Sequence, residues 1–176
     1  MILTGAKIVE EVRRGAITLS PFSPSAVNPN SYNYRLGPEL KVFAGHDGER
    51  ACWDDLTLPE QGWVLEPDTT YLGHTLEVIG SDRYAMSLIG RSSLGRYGLF
   101  LQISANLGHT QSCHSWTLEL HAVQPIRIYP GMTIGQVSFW ANQGPLRAFP
   151  RTYADFNEPH ESLLGCQGAH DDPHRP

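Results

Sequence analysis

The chain is divided into short apolar runs by glycine, proline, asparagine and aspartate, and that spacing restricts it to β-rich folds. Strand-like runs cover residues 17–19, 31–36, 40–43, 63–65, 70–78, 84–89, 99–104, 115–122, 126–128 and 133–140. Strands this short and close must bury one face against a second sheet, which points to a sandwich or barrel of jelly-roll type. A short N-terminal helix comes first. Thr4 can cap it, Ile8 and Val12 lie four apart on one face, and Gly15 ends it. The stretch 44–62 is polar and reads as an inserted loop. No linker or internal repeat divides the chain, so 1–167 reads as a single domain. The Asp-, His- and Pro-rich residues 168–176 read as a mobile tail.

Composition narrows the function. The 176 residues suffice for a real core, and 40% hydrophobic content is ordinary for a globular chain. No apolar stretch is long enough to span a bilayer, and the N-terminus turns at once into a charged segment rather than a signal peptide. Three widely spaced cysteines, Cys52, Cys113 and Cys166, point to a reducing, cytoplasmic setting. A net charge of −5 without a long basic run argues against duplex nucleic acid as a partner. A free nucleotide needs only a few local arginines.

Such arginines occur once. Gly90-Arg91-Ser92-Ser93-Leu94-Gly95-Arg96 sets two guanidinium groups and two hydroxyls in what reads as one short turn. Arginine forks with hydroxyls suit a phosphate chain. The run 115–120 then carries a lone carboxylate, Glu119, on a strand. It could act as a general base, or pair with Arg91 or Arg96 as a buried structural ion pair. Tyr129-Pro130-Gly131 reads as a β-turn. The cluster His109-Thr110-Gln111-Ser112-Cys113-His114 could offer metal ligands, but reads better as a polar loop.

At these residues the sequence resembles the dCTP deaminase family of the trimeric dUTPase-like superfamily. The likeness runs along nearly the whole chain: Met1-Ile2-Leu3-Thr4, residues 28–37, Leu65-Glu66-Pro67, Thr75-Leu76-Glu77, residues 90–99, Thr117-Leu118-Glu119-Leu120 and residues 129–136. The resemblance implies a distorted jelly-roll β-barrel and a homotrimer with active sites at subunit interfaces. It implies hydrolytic removal of the cytosine amino group, dCTP to dUTP plus ammonia, without catalytic zinc and with Mg2+ only as the nucleotide's counterion. The zinc-dependent deaminases carry a Pro-Cys-x-x-Cys motif, and no two cysteines here are close enough to form it.

On that pattern Glu119 is the catalytic carboxylate, while Ser92, Arg96 and the backbone of Ala105 position the attacking water. Arg91, Ser92 and Ser93, with Leu94, Gly95 and Arg96 in the same run, reach phosphates or an adjoining subunit's ligand. His109, Thr117, Leu118 and Gln167 complete the implied substrate contacts.

The sequence departs from the pattern in three places. His109 stands where the superfamily carries an aspartate that serves dUTPases as the water-activating base and deaminases as a sugar contact. Ordinary dUTPase activity is therefore not expected, though histidine can donate to a hydroxyl or add charge near a phosphate. In Ser162-Leu163-Leu164-Gly165-Cys166-Gln167-Gly168 only Gln167 remains of the lysine, tyrosine and glutamine that close over the triphosphate. Asn33 replaces an early aspartate. These changes leave two alternatives open: a deaminase of a monophosphate or modified cytosine nucleotide, and a non-catalytic nucleotide-binding member of the fold.

Overall fold

The computed structural model describes residues 1–48, 50–102, 105–147 and 157–162. Helix α1 (Gly5–Arg13) starts where Thr4 Oγ1 accepts the Lys7 N–H at 3.4 Å, and it buries Ile8 in the core. Gly15 takes φ +73° just beyond it, a conformation that a side chain would strain.

The strands follow as β1 (Ile17–Ser20), β2 (Tyr32–Arg35), β3 (Glu39–Asp47), β4 (Arg50–Thr57), β5 (Trp63–Leu65), β6 (Tyr71–Ser81) and β7 (Tyr84–Gly90). A second helix, α2 (Ser92–Tyr97), precedes β8 (Leu99–Leu101), β9 (Leu107–Gly108), β10 (Cys113–Ala122), β11 (Ile126–Ile128) and β12 (Thr133–Ala141). One sheet runs β4-β3-β6-β10-β8 with β1 also on β6, a second runs β2-β12-β7-β9, and β11 pairs with β5. Each pairing is antiparallel. The fold is thus mainly β with a short N-terminal helix, a distorted jelly roll whose ladders run as open sheets among the described residues. Tyr34 of β2, Leu65 of β5, Leu118 of β10 and Phe139 of β12 are fully buried, so the separate sheets share one core.

Three local expectations need correction. The stretch 44–62 is not a loop: β3 continues to Asp47 and β4 returns along it, with Phe43 opposite Trp53 and their rings 5.5 Å apart. Asp47, Arg50, Asp54 and Asp55 lie in this arm, which is half-buried at most along β4, so no apolar alternation marks it as strand. The 90–96 run is not a simple turn either, because Ser92–Tyr97 is helical. Strand 99–104 ends early, at Leu101, since Gln102 takes φ +49°; Ile103 and Ser104 lie outside the described residues. So does the expected tail, 168–176.

Candidate active site

The site is built on β10 and the two elements that flank it. Leu118, Leu120 and Ala122 face the core, which sends Glu119 and His121 to the other side of the strand. Glu119 lies opposite Leu72 on β6, and its backbone carbonyl accepts from Gln102 N at 3.2 Å just beyond β8. The carboxylate is reachable by solvent, yet the protein around it removes enough water to raise its pKa above the ordinary carboxylate value. Among the described residues no ion pair joins it to Arg91 or Arg96.

The arginine segment is brought to the same end of the sheet. Gly90 packs closely on β8: a Cβ there would lie a tight 3.3 Å from Leu101 Cδ1. Leu101 in turn pairs with Leu120, the neighbour of Glu119. The far end of α2 is pinned by Val123 N donating to Gly98 O at 3.0 Å and Gln124 Nε2 donating to Tyr97 O at 2.9 Å. Leu94 packs on the core, which leaves Ser92, Ser93 and Arg96 exposed and Arg91 half-buried. Gly95 faces open space. Two guanidinium groups and two hydroxyls on the segment that leads into β8, and a partly desolvated carboxylate on the strand paired with β8, are groups that can hold phosphates and move a proton.

The other expected residues fall in different places. Leu118 is fully buried, so only its backbone can face a ligand. Thr117 Oγ1 accepts the His160 N–H at 3.2 Å, because residues 157–162 lie along β10. Asn157 Oδ1 also accepts from Ser115 N at 3.1 Å, and Glu161 sits 3.6 Å from Lys41. A cavity of about 290 Å³ beside this segment is lined by Glu39, Lys41, Asp55 and Glu158, and its excess of carboxylates makes a poor phosphate cradle. Ala105 is exposed, next to Asn106, whose carbonyl accepts from Leu88 N at 2.9 Å. Gln167 lies outside the described residues.

His109 is exposed in the turn before β10, where Gln111 N donates to Ser81 O at 2.7 Å. Six residues of strand separate Cys113 from Glu119, roughly 20 Å at the usual rise, so one chain does not unite His109 with Glu119. His114 is buried, with Nδ1 2.8 Å from Ser115 O and its ring 4.3 Å from that of Trp116. Among the described residues no three His, Cys, Asp or Glu side chains form a metal-binding group.

Comparison with known proteins decides the family. A dCTP deaminase-like family model matches residues 2–142. The chain belongs to the dCTP deaminase-like family. It is 40% identical to a dCTP deaminase of Rhodopirellula baltica over 98% of this chain and 88% of that one. It is 40% identical to a "dCTP deaminase, dUMP-forming" of Cytophaga hutchinsonii over 82% of this chain and 84% of that one. A protein of the same description from Clostridium acetobutylicum is 42% identical over 79% and 82%. The fold matches the crystal structure of 2'-deoxycytidine 5'-triphosphate deaminase from Agrobacterium tumefaciens with a TM-score of 0.67 at 19% identity. That match covers 82% of this chain and about half, 49%, of the other. Gln102 and the segment 157–162 also touch β10, and neither carries a sequence signature. An isolated glutamine after a strand carries no period or motif, and the segment's role exists only through its contact with β10.

Proposed function

We propose that the protein hydrolyses dCTP to dUTP and ammonia. The observation that carries this reading is Glu119: a carboxyl with a raised pKa, free of ion pairing among the described residues, on the strand beside the Arg91–Arg96 segment. Family membership and the names of the relatives support the substrate. Glu119 takes a proton from water as the water oxygen attacks C4 of the cytosine ring. It passes that proton to N3, and a second transfer lets the amino group leave as ammonia while C4 becomes a carbonyl. Ser92, Arg96 and the Ala105 backbone hold the water. Arg91, Ser93 and Arg96 hold the phosphates. Mg2+ accompanies the triphosphate as part of the substrate, and no zinc takes part.

A second reading ends at dUMP, since several relatives carry that description. The histidine at position 109 favours the dUTP product, because it replaces the carboxylate that the superfamily pattern uses to activate water for the further step. The assembly proposed is a homotrimer, supported by the distance along β10 between His109 and Glu119 in one chain. The enzyme works in the cytoplasm on a free nucleotide; no helix among the described residues is long and apolar enough to cross a membrane.

One experiment tests the reaction. The protein is incubated with dCTP, dCMP, CTP and Mg2+, with and without a tight zinc chelator, and ammonia, dUTP, dUMP and diphosphate are measured. Ammonia with dUTP, unaffected by the chelator, is the expected outcome. Diphosphate release moves the product to dUMP, and no ammonia from any cytosine nucleotide ends the deaminase reading.

A further inference from the structure

Gln102 breaks the end of β8 in a way that only its side chain explains. Its φ of +49° lies in the left-handed region, where glycine or asparagine fits with less strain. What glutamine adds is an amide. Next to the Leu101–Leu120 pair, the carbonyls of Glu119 and Thr117 lie on the β8 side of β10. Gln102 meets both. Its backbone N donates to Glu119 O at 3.2 Å, and its Nε2 donates to Thr117 O at 3.4 Å. Carbonyls two residues apart on a strand point the same way, so one residue reaches both, with its backbone N–H and its side-chain amide.

The arrangement is costly elsewhere. Gln102 is only 7% exposed, and its Oε1 is buried without a hydrogen-bond partner among the described residues. A methionine of similar volume would leave no such atom unpaired. Left-handed backbone and an unmet acceptor thus meet at the residue opposite Glu119. Strain of this kind persists where the surroundings over-determine it, commonly at functional sites.

We propose that Gln102 is a positioning residue: its amide, bound to the Thr117 carbonyl, clamps β10 and holds the Glu119 carboxylate in place for proton transfer. The inference rests on the deaminase reading of Glu119 given above. Misplacing a proton-transfer group by a fraction of a bond length lowers turnover more than binding, because the phosphate contacts lie on α2.

The test compares the wild type with Gln102→Met, which keeps volume, and Gln102→Gly, which relieves the backbone. Both lose the amide. The expected result is a kcat about tenfold lower or less with KM within about threefold of wild type. Hydrogen exchange across residues 117–120 should quicken in both variants, and Gln102→Gly should keep its thermal stability while losing turnover. A kcat within about twofold of wild type in both, or a raised KM with kcat kept, overturns the proposal. If the wild type deaminates no cytosine nucleotide, the function reading has failed instead. The exchange measurement then judges the clamp, and unchanged exchange overturns it.

Discussion

Arg35 binds the buried carboxylate of Glu77 with both its backbone and its side chain: Arg35 N donates to Oε2 at 2.8 Å and Nε to Oε1 at 2.7 Å. Glu77 is 1% exposed and ties β2 to β6 across the core. It follows a β6 irregularity in which Thr75 Oγ1 accepts from Trp116 N at 2.9 Å and donates to Glu77 O at 2.7 Å. The Thr75-Leu76-Glu77 motif is therefore a structural joint behind the strand that carries Glu119. Arg35→Met would leave the buried carboxylate with a single backbone donor. Denaturant unfolding should show a loss of about 3 kcal/mol, the low end for breaking a buried pair. A loss below about 1 kcal/mol would mean that the pair behaves like an exposed one.

Glu119→Gln separates chemistry from stability. Turnover should fall at least ~10²-fold, since the variant keeps shape but no longer accepts a proton. The pKa of Glu119 is raised by burial above its unfolded value. Between those two values the folded state binds more protons than the unfolded state, so this group makes stability fall as pH rises through the window. Glutamine has no such dependence. The variant should match the wild type below the window and be no less stable above it, as thermal melts from pH 4 to 8 would show. A marked loss of stability at neutral pH would contradict the absence of an ion pair.

Gly95 lies inside α2, has no positive φ, and would place a Cβ in open space. Gly95→Ala should raise stability by about 0.5–1 kcal/mol by restricting the unfolded chain. If the open space belongs to the phosphate site, the same change raises KM for the nucleotide. Melting and steady-state kinetics read the two effects independently.

Thr117 anchors the segment 157–162 through His160 N. Thr117→Val removes the acceptor and should cost about 1 kcal/mol, the usual worth of one such bond. Limited proteolysis should then cut the 157–162 segment sooner than in wild type. Equal cleavage rates would show that Asn157 and the Lys41–Glu161 contact hold the segment unaided.

Much of this was legible in the residues themselves. Short apolar runs bounded by turn residues marked β1, β6, β7, β10 and β12, because each of these strands buries at least one face. Thr4 and Gly15 announced the bounds of α1 through side-chain capping and left-handed backbone, both local effects. The 91–96 run and Glu119 stood out by chemistry. β4 did not, because its arm is only partly buried and its pattern is polar. Nor did α2, whose helical turns depend on Gly98 and on bonds from Val123 and Gln124.

Sequence alone determined the β-rich class, the family and the groups available for phosphate binding and proton transfer, since each depends on residue type and near neighbours. Only the tertiary structure decided that Glu119 stands partly desolvated and without an ion pair among the described residues, that Gln102 bonds to β10 beside it, and that His109 lies in the turn before that strand. Desolvation, ladder register and strand length arise from residues distant in the chain, and no local pattern encodes them.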